Sequence, residues 1–197
     1  MALLDAARST LVVIDLQGKL VHQVHRAPQL LETTQRLLAF ADLFQVPVVL
    51  TEQYPKGLGP TEPGIRAAFD ELRTPTFTLE KTAFGCAGEP AFAELLALAR
   101  PGLPPERRQI VIAGIEAHVC VMQTVLALLA GGHEVHVCWD AVSGRGEDYR
   151  RHALERMAQA GATLTNHESV AFEWARHKDH PAFKTMSGIL KGGQPWA

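Results

Sequence analysis

Six short runs of apolar, largely β-branched residues recur along this chain, and helix-length stretches separate most of them. The runs are Leu11 to Leu16, Val46 to Thr51, Thr76 to Leu79, Ile110 to Ala113, Glu134 to Trp139 and Ala162 to Thr165. Several are apolar on both faces, which a strand tolerates only when both faces are covered. Helical spacing occupies Pro28 to Phe44, Pro90 to Arg100, Val119 to Ala130 and Asp148 to Ala160, with further helical stretches at Ser169 to Trp174 and Pro181 to Leu190. Tyr54 to Gly64, rich in Gly and Pro, reads as a loop. This alternation predicts an α/β fold with a mainly parallel sheet under helices on both sides.

The chain has 197 residues, 47% of them hydrophobic, enough for one full core. With no repeat, low-complexity tract or linker, residues 1–197 read as a single domain. The formal net charge of −2 offers no basic excess for nucleic acid or an anionic membrane surface. Three cysteines (Cys86, Cys120 and Cys138), far apart and without a C-x-x-C pair, argue against a disulfide framework and a thiolate zinc site. Asp5 and Arg8 precede the first apolar run, so no signal peptide is read, and no stretch reaches membrane-spanning length. A soluble, cytoplasmic protein is the expectation.

Right-handed crossovers put the C-terminal ends of all parallel strands on one edge, where such sheets bind ligands. Three chemically capable residues fall there on separate elements. Asp15 ends the first strand, Lys81 lies just beyond the third and Cys120 follows the fourth. Each has a bland alternative: a capping Asp, a solvated Lys, a packing Cys. Together they make a nucleophile, a base and a positive group. Cys120 would attack a carbonyl, Asp15 would take and return a proton, and Lys81 would stabilise the thiolate and orient Asp15. The start of the helix after Cys120 gathers free N–H groups and the positive dipole end, which favours a thiolate. Backbone N–H groups of the Gly114-to-Cys120 turn are candidates for an oxyanion hole.

The segment Gly114-Ile-Glu-Ala-His-Val-Cys-Val121, taken with Asp15 and Lys81, resembles the isochorismatase-like cysteine hydrolases. Thr51 to Thr61, Glu80 to Phe84, Asp140 to Arg145 and Lys178 to Lys184 are similar nearly letter for letter to the isochorismatase domain-containing subgroup. The resemblance implies a three-layer α/β/α domain and a triad of Asp15, Lys81 and Cys120. It further implies a cis peptide at Ile115-Glu116, with the N–H groups of Glu116 and Cys120 as oxyanion donors. Nicotinamidase relatives carry a D-x-H…H metal motif after the second strand. Glu52-Gln-Tyr-Pro55 stands there here, so neither a metal nor an organic cofactor is expected. Siderophore-pathway isochorismatases lack the cysteine, so that activity does not transfer. Ala117 and Gly85 replace the subgroup's usual Thr and Ser.

Gln53, Tyr54, Phe84 and His118 are candidate substrate contacts at the active edge. Cys86 and Cys138 read as packing residues, and His22 and His25 lack the spacing of a metal site. The leading reading is a cofactor-independent hydrolase of a small amide-like substrate. The alternatives are a scaffold of the same fold and a redox-sensing thiol protein. A homo-oligomer is also expected. Val119 to Ala130 is apolar nearly all round, with only Gln123 and Thr124 polar, so its outer face needs cover. The competing cover is the chain's own Pro181 to Trp196.

Overall fold

The computed structural model describes residues 2–193. Six strands form one sheet: β1 (Ser9–Ile14), β2 (Val48–Gln53), β3 (Thr76–Lys81), β4 (Gln109–Gly114), β5 (Glu134–Val142) and β6 (Thr163–Thr165). Their order is β3-β2-β1-β4-β5-β6, and every pairing is parallel. The helices are α1 (Gly18–Val21), α2 (Ala27–Leu43), α3 (Pro55–Leu58), α4 (Pro63–Asp70), α5 (Pro90–Ala99), α6 (Met122–Ala130), α7 (Glu147–Gln159), α8 (His167–Ala175) and α9 (Phe183–Leu190).

Period-2 alternation along β1 divides the core. Leu11 and Val13 face a layer built from α2, α4, α8 and α9, including Leu37, Phe40, Phe69, Trp174 and Met186. Val12 and Ile14 face the opposite layer, where α5, α6 and α7 bring Phe92, Leu96, Val125, Leu128 and Met157. The three-layer α/β/α fold follows. Among the described residues no helix is long and apolar enough to cross a membrane.

The stretch Tyr54 to Gly64 is not a plain loop: it holds α3 and opens into α4. Pro63 starts α4, the Glu62 side chain accepts the Ile65 N–H, and Ile65, Ala68 and Phe69 share the buried face. Those features form a helix-start signal that the surrounding Gly and Pro content masks. The strand β5 runs to Val142, beyond the expected end at Trp139. Between β4 and α6, residues Ala117–Val121 form a π-helical turn, so the regular helix starts three residues later than the expected Val119.

The far end of β5 makes stability pH-dependent. Burial pushes the imidazoles of His133 and His136 below the ordinary 6.5; Arg108 adds to this at His133, while Glu173 and Glu134 oppose it at His136. A histidine with a depressed folded pKa stays neutral while the unfolded chain takes up a proton. Stability is therefore full above about pH 6.5 and declines as pH falls below it. Urea midpoints at pH 7.5 and 5.5 check this: the lower pH should give the lower midpoint, and His136→Phe should flatten the difference.

Candidate active site

The strand order reverses between β1 and β4, and the crevice at their C-terminal ends is where such sheets bind ligands. Asp15 leaves β1 with a φ of 52° and donates its N–H to Thr51 O at 3.2 Å. Its carboxylate is 1% exposed, and Oδ1 accepts the Thr51 hydroxyl at 2.7 Å. Lys81, at the end of β3, is equally buried, with Nζ 2.7 Å from Asp15 Oδ2. These two residues are separated by the whole of β2, about 9–10 Å between strand axes. Only a long side chain spans that gap, which gives a physical reason for lysine at this position.

The lysine's hydrogen bonds go elsewhere. Nζ donates to Gln53 Oε1 at 2.6 Å, Phe84 O at 2.9 Å and Ala83 O at 3.2 Å. Its contact with Asp15 Oδ2 is one of charge: that oxygen is buried without a hydrogen-bond partner. Gln53 is held in turn, donating its side-chain amide to Thr82 O and its N–H to Gln17 Oε1.

Cys120 sits in the π-helical turn, 7% exposed. Burial, and then the Asp15 charge, push its thiol up to about 12, with Lys81 pulling the other way. A hydrogen bond to Asp15 contributes to the rise. The expectation of a thiolate at rest is therefore corrected. Desolvation outweighs the helix dipole here, because the sulfur lies inside the turn and not at an open helix end.

Strand β4 approaches β1 closely at the turn. Gly114 has a φ of 122°, and a Cβ there would lie 2.1 Å from Ile14 O. The Ile115-Glu116 peptide is cis. Ala117 N donates to Ser143 O at 2.7 Å and Ser143 N to Gly114 O at 3.3 Å, fastening the turn to the end of β5. The nearly buried Glu116 carboxylate accepts Arg145 Nε at 3.0 Å. His118 stacks on Tyr149 with ring centroids 4.8 Å apart, and its Nε2 is 3.9 Å from Glu116.

Asp15, Lys81 and Cys120 thus come together as the sequence predicts. The Gln53 side-chain amide is held between Lys81 and Thr82 O. Tyr54 and Phe84 stand at the rim, each more than half exposed, and His118 belongs to the wall of the turn. Sequence reasoning missed Thr51; Cys86 packs in the core as read. The Cys86 thiol is fully buried, feels the charges of Lys81 and Asp15, and is pushed up to about 11 mainly by burial. Its N–H donates to Thr124 Oγ1, which donates to Cys120 O at 2.7 Å. The clue available to sequence was Thr51 in the first position after a buried run. Among the described residues, no group of three or more His, Cys, Asp or Glu side chains could hold a metal ion.

One parallel sheet between two helical layers, with a buried cysteine, carboxylate and lysine at its switch point, defines a three-layer α/β/α protein. Residues 9–169 match the isochorismatase domain, and the chain belongs to the isochorismatase family. Isochorismatase domain-containing protein 2 from Pongo abelii is 40% identical over 187 residues, covering 95% of this chain and 85% of that protein. A solved MAR1 ribonuclease from Caenorhabditis elegans is 35% identical with a TM-score of 0.86, over 96% of this chain and 93% of that one. The ycaC gene product of Escherichia coli, an octameric hydrolase of unknown specificity, shares the fold at 24% identity and a TM-score of 0.82, over 98% and 96% of the two chains.

Proposed function

We propose that this chain is a cofactor-independent cysteine hydrolase of a small amide-like substrate, working through a Cys120 thioester. The observation that carries the reading is the buried Asp15 carboxylate, in contact with the Cys120 thiol and with Oδ2 2.7 Å from the Lys81 ammonium. Asp15 takes the thiol proton as sulfur attacks the carbonyl carbon. Lys81 supplies a positive charge 2.7 Å from the Asp15 carboxylate. The N–H groups of Glu116 and Cys120 receive the oxyanion; the Glu116 N–H has no acceptor among the described residues. Asp15 then returns its proton to the leaving nitrogen. Water, deprotonated by the same carboxylate, cleaves the thioester.

The ribonuclease activity named for the worm protein is not the favoured reading for this chain. A net charge of −2 offers no general field for a phosphate backbone, and a carbonyl electrophile suits the thiol and carboxylate. The test is ammonia release from a panel of amides and ureides by purified protein, beside cleavage of single-stranded RNA. Amide turnover supports the proposal; RNA cleavage that persists in Cys120→Ala, with no amide turnover, sinks it.

A homo-oligomer belongs to the same proposal. On α6, Ala127 and Ala130 are exposed and Leu126 and Leu129 half-buried, and Leu98 of neighbouring α5 is 61% exposed. The chain's own C-terminal segment does not cover this face, because α9 packs its Met186 and Ile189 on the opposite side of the sheet. Trp196, part of that expected cover, lies outside the described residues. Light scattering at micromolar concentration should give a mass of at least twice 21.5 kDa. Ala127→Glu should lower it toward one chain, and a monomeric wild type would refute this part.

A further inference from the structure

The segment Glu52-Gln-Tyr-Pro55 stands where metal-binding relatives are expected to carry their ligands, and the proposed chemistry leaves Gln53 unused. Gln53 is 8% exposed and fixed at three points. Its N–H donates to Gln17 Oε1 at 2.6 Å, its carbonyl accepts Gln17 Nε2 at 3.2 Å, and its Nε2 donates to Thr82 O at 2.9 Å. Gln17 is itself fully buried and anchored to Gly59 O at 2.7 Å. The amide orientation of Gln53 is therefore set by its surroundings, with Oε1 turned to Lys81 Nζ.

An ammonium has three N–H bonds and no more. Gln53 Oε1, Ala83 O and Phe84 O are three acceptors within 3.2 Å of Lys81 Nζ. They can take all three of its protons, and Asp15 Oδ2 lies 2.7 Å away in a charge contact that lacks hydrogen-bond geometry. The other oxygen of Asp15 is occupied by Thr51. We infer that Gln53 is a positioning residue, which engages one Lys81 proton so that Asp15 Oδ2 stays open to the proton of Cys120. This rests on the proposed role of Asp15 as base toward Cys120. It adds that the lysine must act on Asp15 as a charge without donating to it, and that an uncharged acceptor on β2 enforces the distinction. A carboxylate in place of Gln53 would share the lysine's charge with Asp15. An apolar side chain would release an N–H toward Oδ2.

The charged and titratable groups facing Asp15 are Lys81 from β3, Cys120 from the π-helical turn and Cys86 from the segment after β3. Thr51 and Gln53 bring no charge from β2. The readout is the rate of Cys120 alkylation by iodoacetamide across pH 4–9, followed by intact mass, which needs no substrate and stands whether or not amides are hydrolysed.

In Gln53→Met the released N–H competes for Oδ2, so the neutral-pH rate should fall about tenfold and the acid limb should move to lower pH. In Gln53→Glu the limb should move to higher pH, because the lysine's charge is divided. Gln53→Asn, one methylene too short to reach Lys81, should behave as Gln53→Met and replaces it if that variant does not fold. Opposite shifts establish the positioning role. Profiles that coincide with wild type, or shift in the same direction for both substitutions, overturn it. If the wild-type alkylation rate has no acid limb, the role of Asp15 as base fails instead, and with it the premise.

Discussion

Replacing Cys120 by alanine should reduce turnover by at least about 10⁴-fold, because a covalent route has no substitute once its nucleophile is gone. The fold should survive. The side chain is small, and losing one buried sulfur costs about 1 kcal/mol. Adduct formation separates this site from the other thiols. Cys86 and Cys138 are fully buried, whereas Cys120 is 7% exposed and lies beside Asp15. Brief iodoacetamide treatment of native protein should therefore add one carbamidomethyl group to wild type and none to Cys120→Ala. Turnover retained in the variant would remove Cys120 from the mechanism. A second adduct in wild type would show that Cys86 is more accessible than its burial indicates.

The largest stability effect is expected at Gly114. A Cβ there would sit 2.1 Å from Ile14 O and 2.6 Å from Ile14 N, on a backbone with a φ of 122°. Both contacts are with main-chain atoms of the central strand, which no side-chain rotation relieves. Gly114→Ala should cost about 3–5 kcal/mol, a large part of a typical domain's stability. Gly132 is the control. Its φ is 85°, but nothing lies within 4 Å of a Cβ there, so Gly132→Ala should cost only about 1 kcal/mol. Urea denaturation of the pair checks the difference. A loss below about 1 kcal/mol at Gly114 would mean that β1 and β4 can separate at the turn.

Much of this was legible in the sequence because it depends on local pattern. Apolar runs such as Val12 to Ile14 and Ile110 to Ala113 specify buried parallel strands, and parallel topology then delivers Asp15, Lys81 and Cys120 to one edge. What escaped depends on contacts across that edge. The amide of Gln53 serves a lysine 28 residues further along the chain, and Thr51 serves Asp15, 36 residues before it. Neither partner is marked by spacing. The protonation of Cys120 was misjudged for a related reason: helix position is visible in sequence, but the depth of burial that overrides the dipole is not. In α4 the capping Glu62 and the Ile65, Ala68, Phe69 face were visible, yet the glycines and prolines before them dominated the reading.

Lys81 comes from the least protected strand of the four that build the site. β3 lies at the sheet margin, hydrogen-bonded to β2 alone, and three of its six residues are exposed. Asp15 and Cys120 are carried by the central pair. Local fraying starts at margins and costs far less than global unfolding. Mild warming or dilute denaturant would therefore withdraw the ammonium first and leave Asp15 and Cys120 without their cationic neighbour. The proposed activity would fall silent while the core strands still resisted hydrogen exchange, and cooling would restore it without refolding.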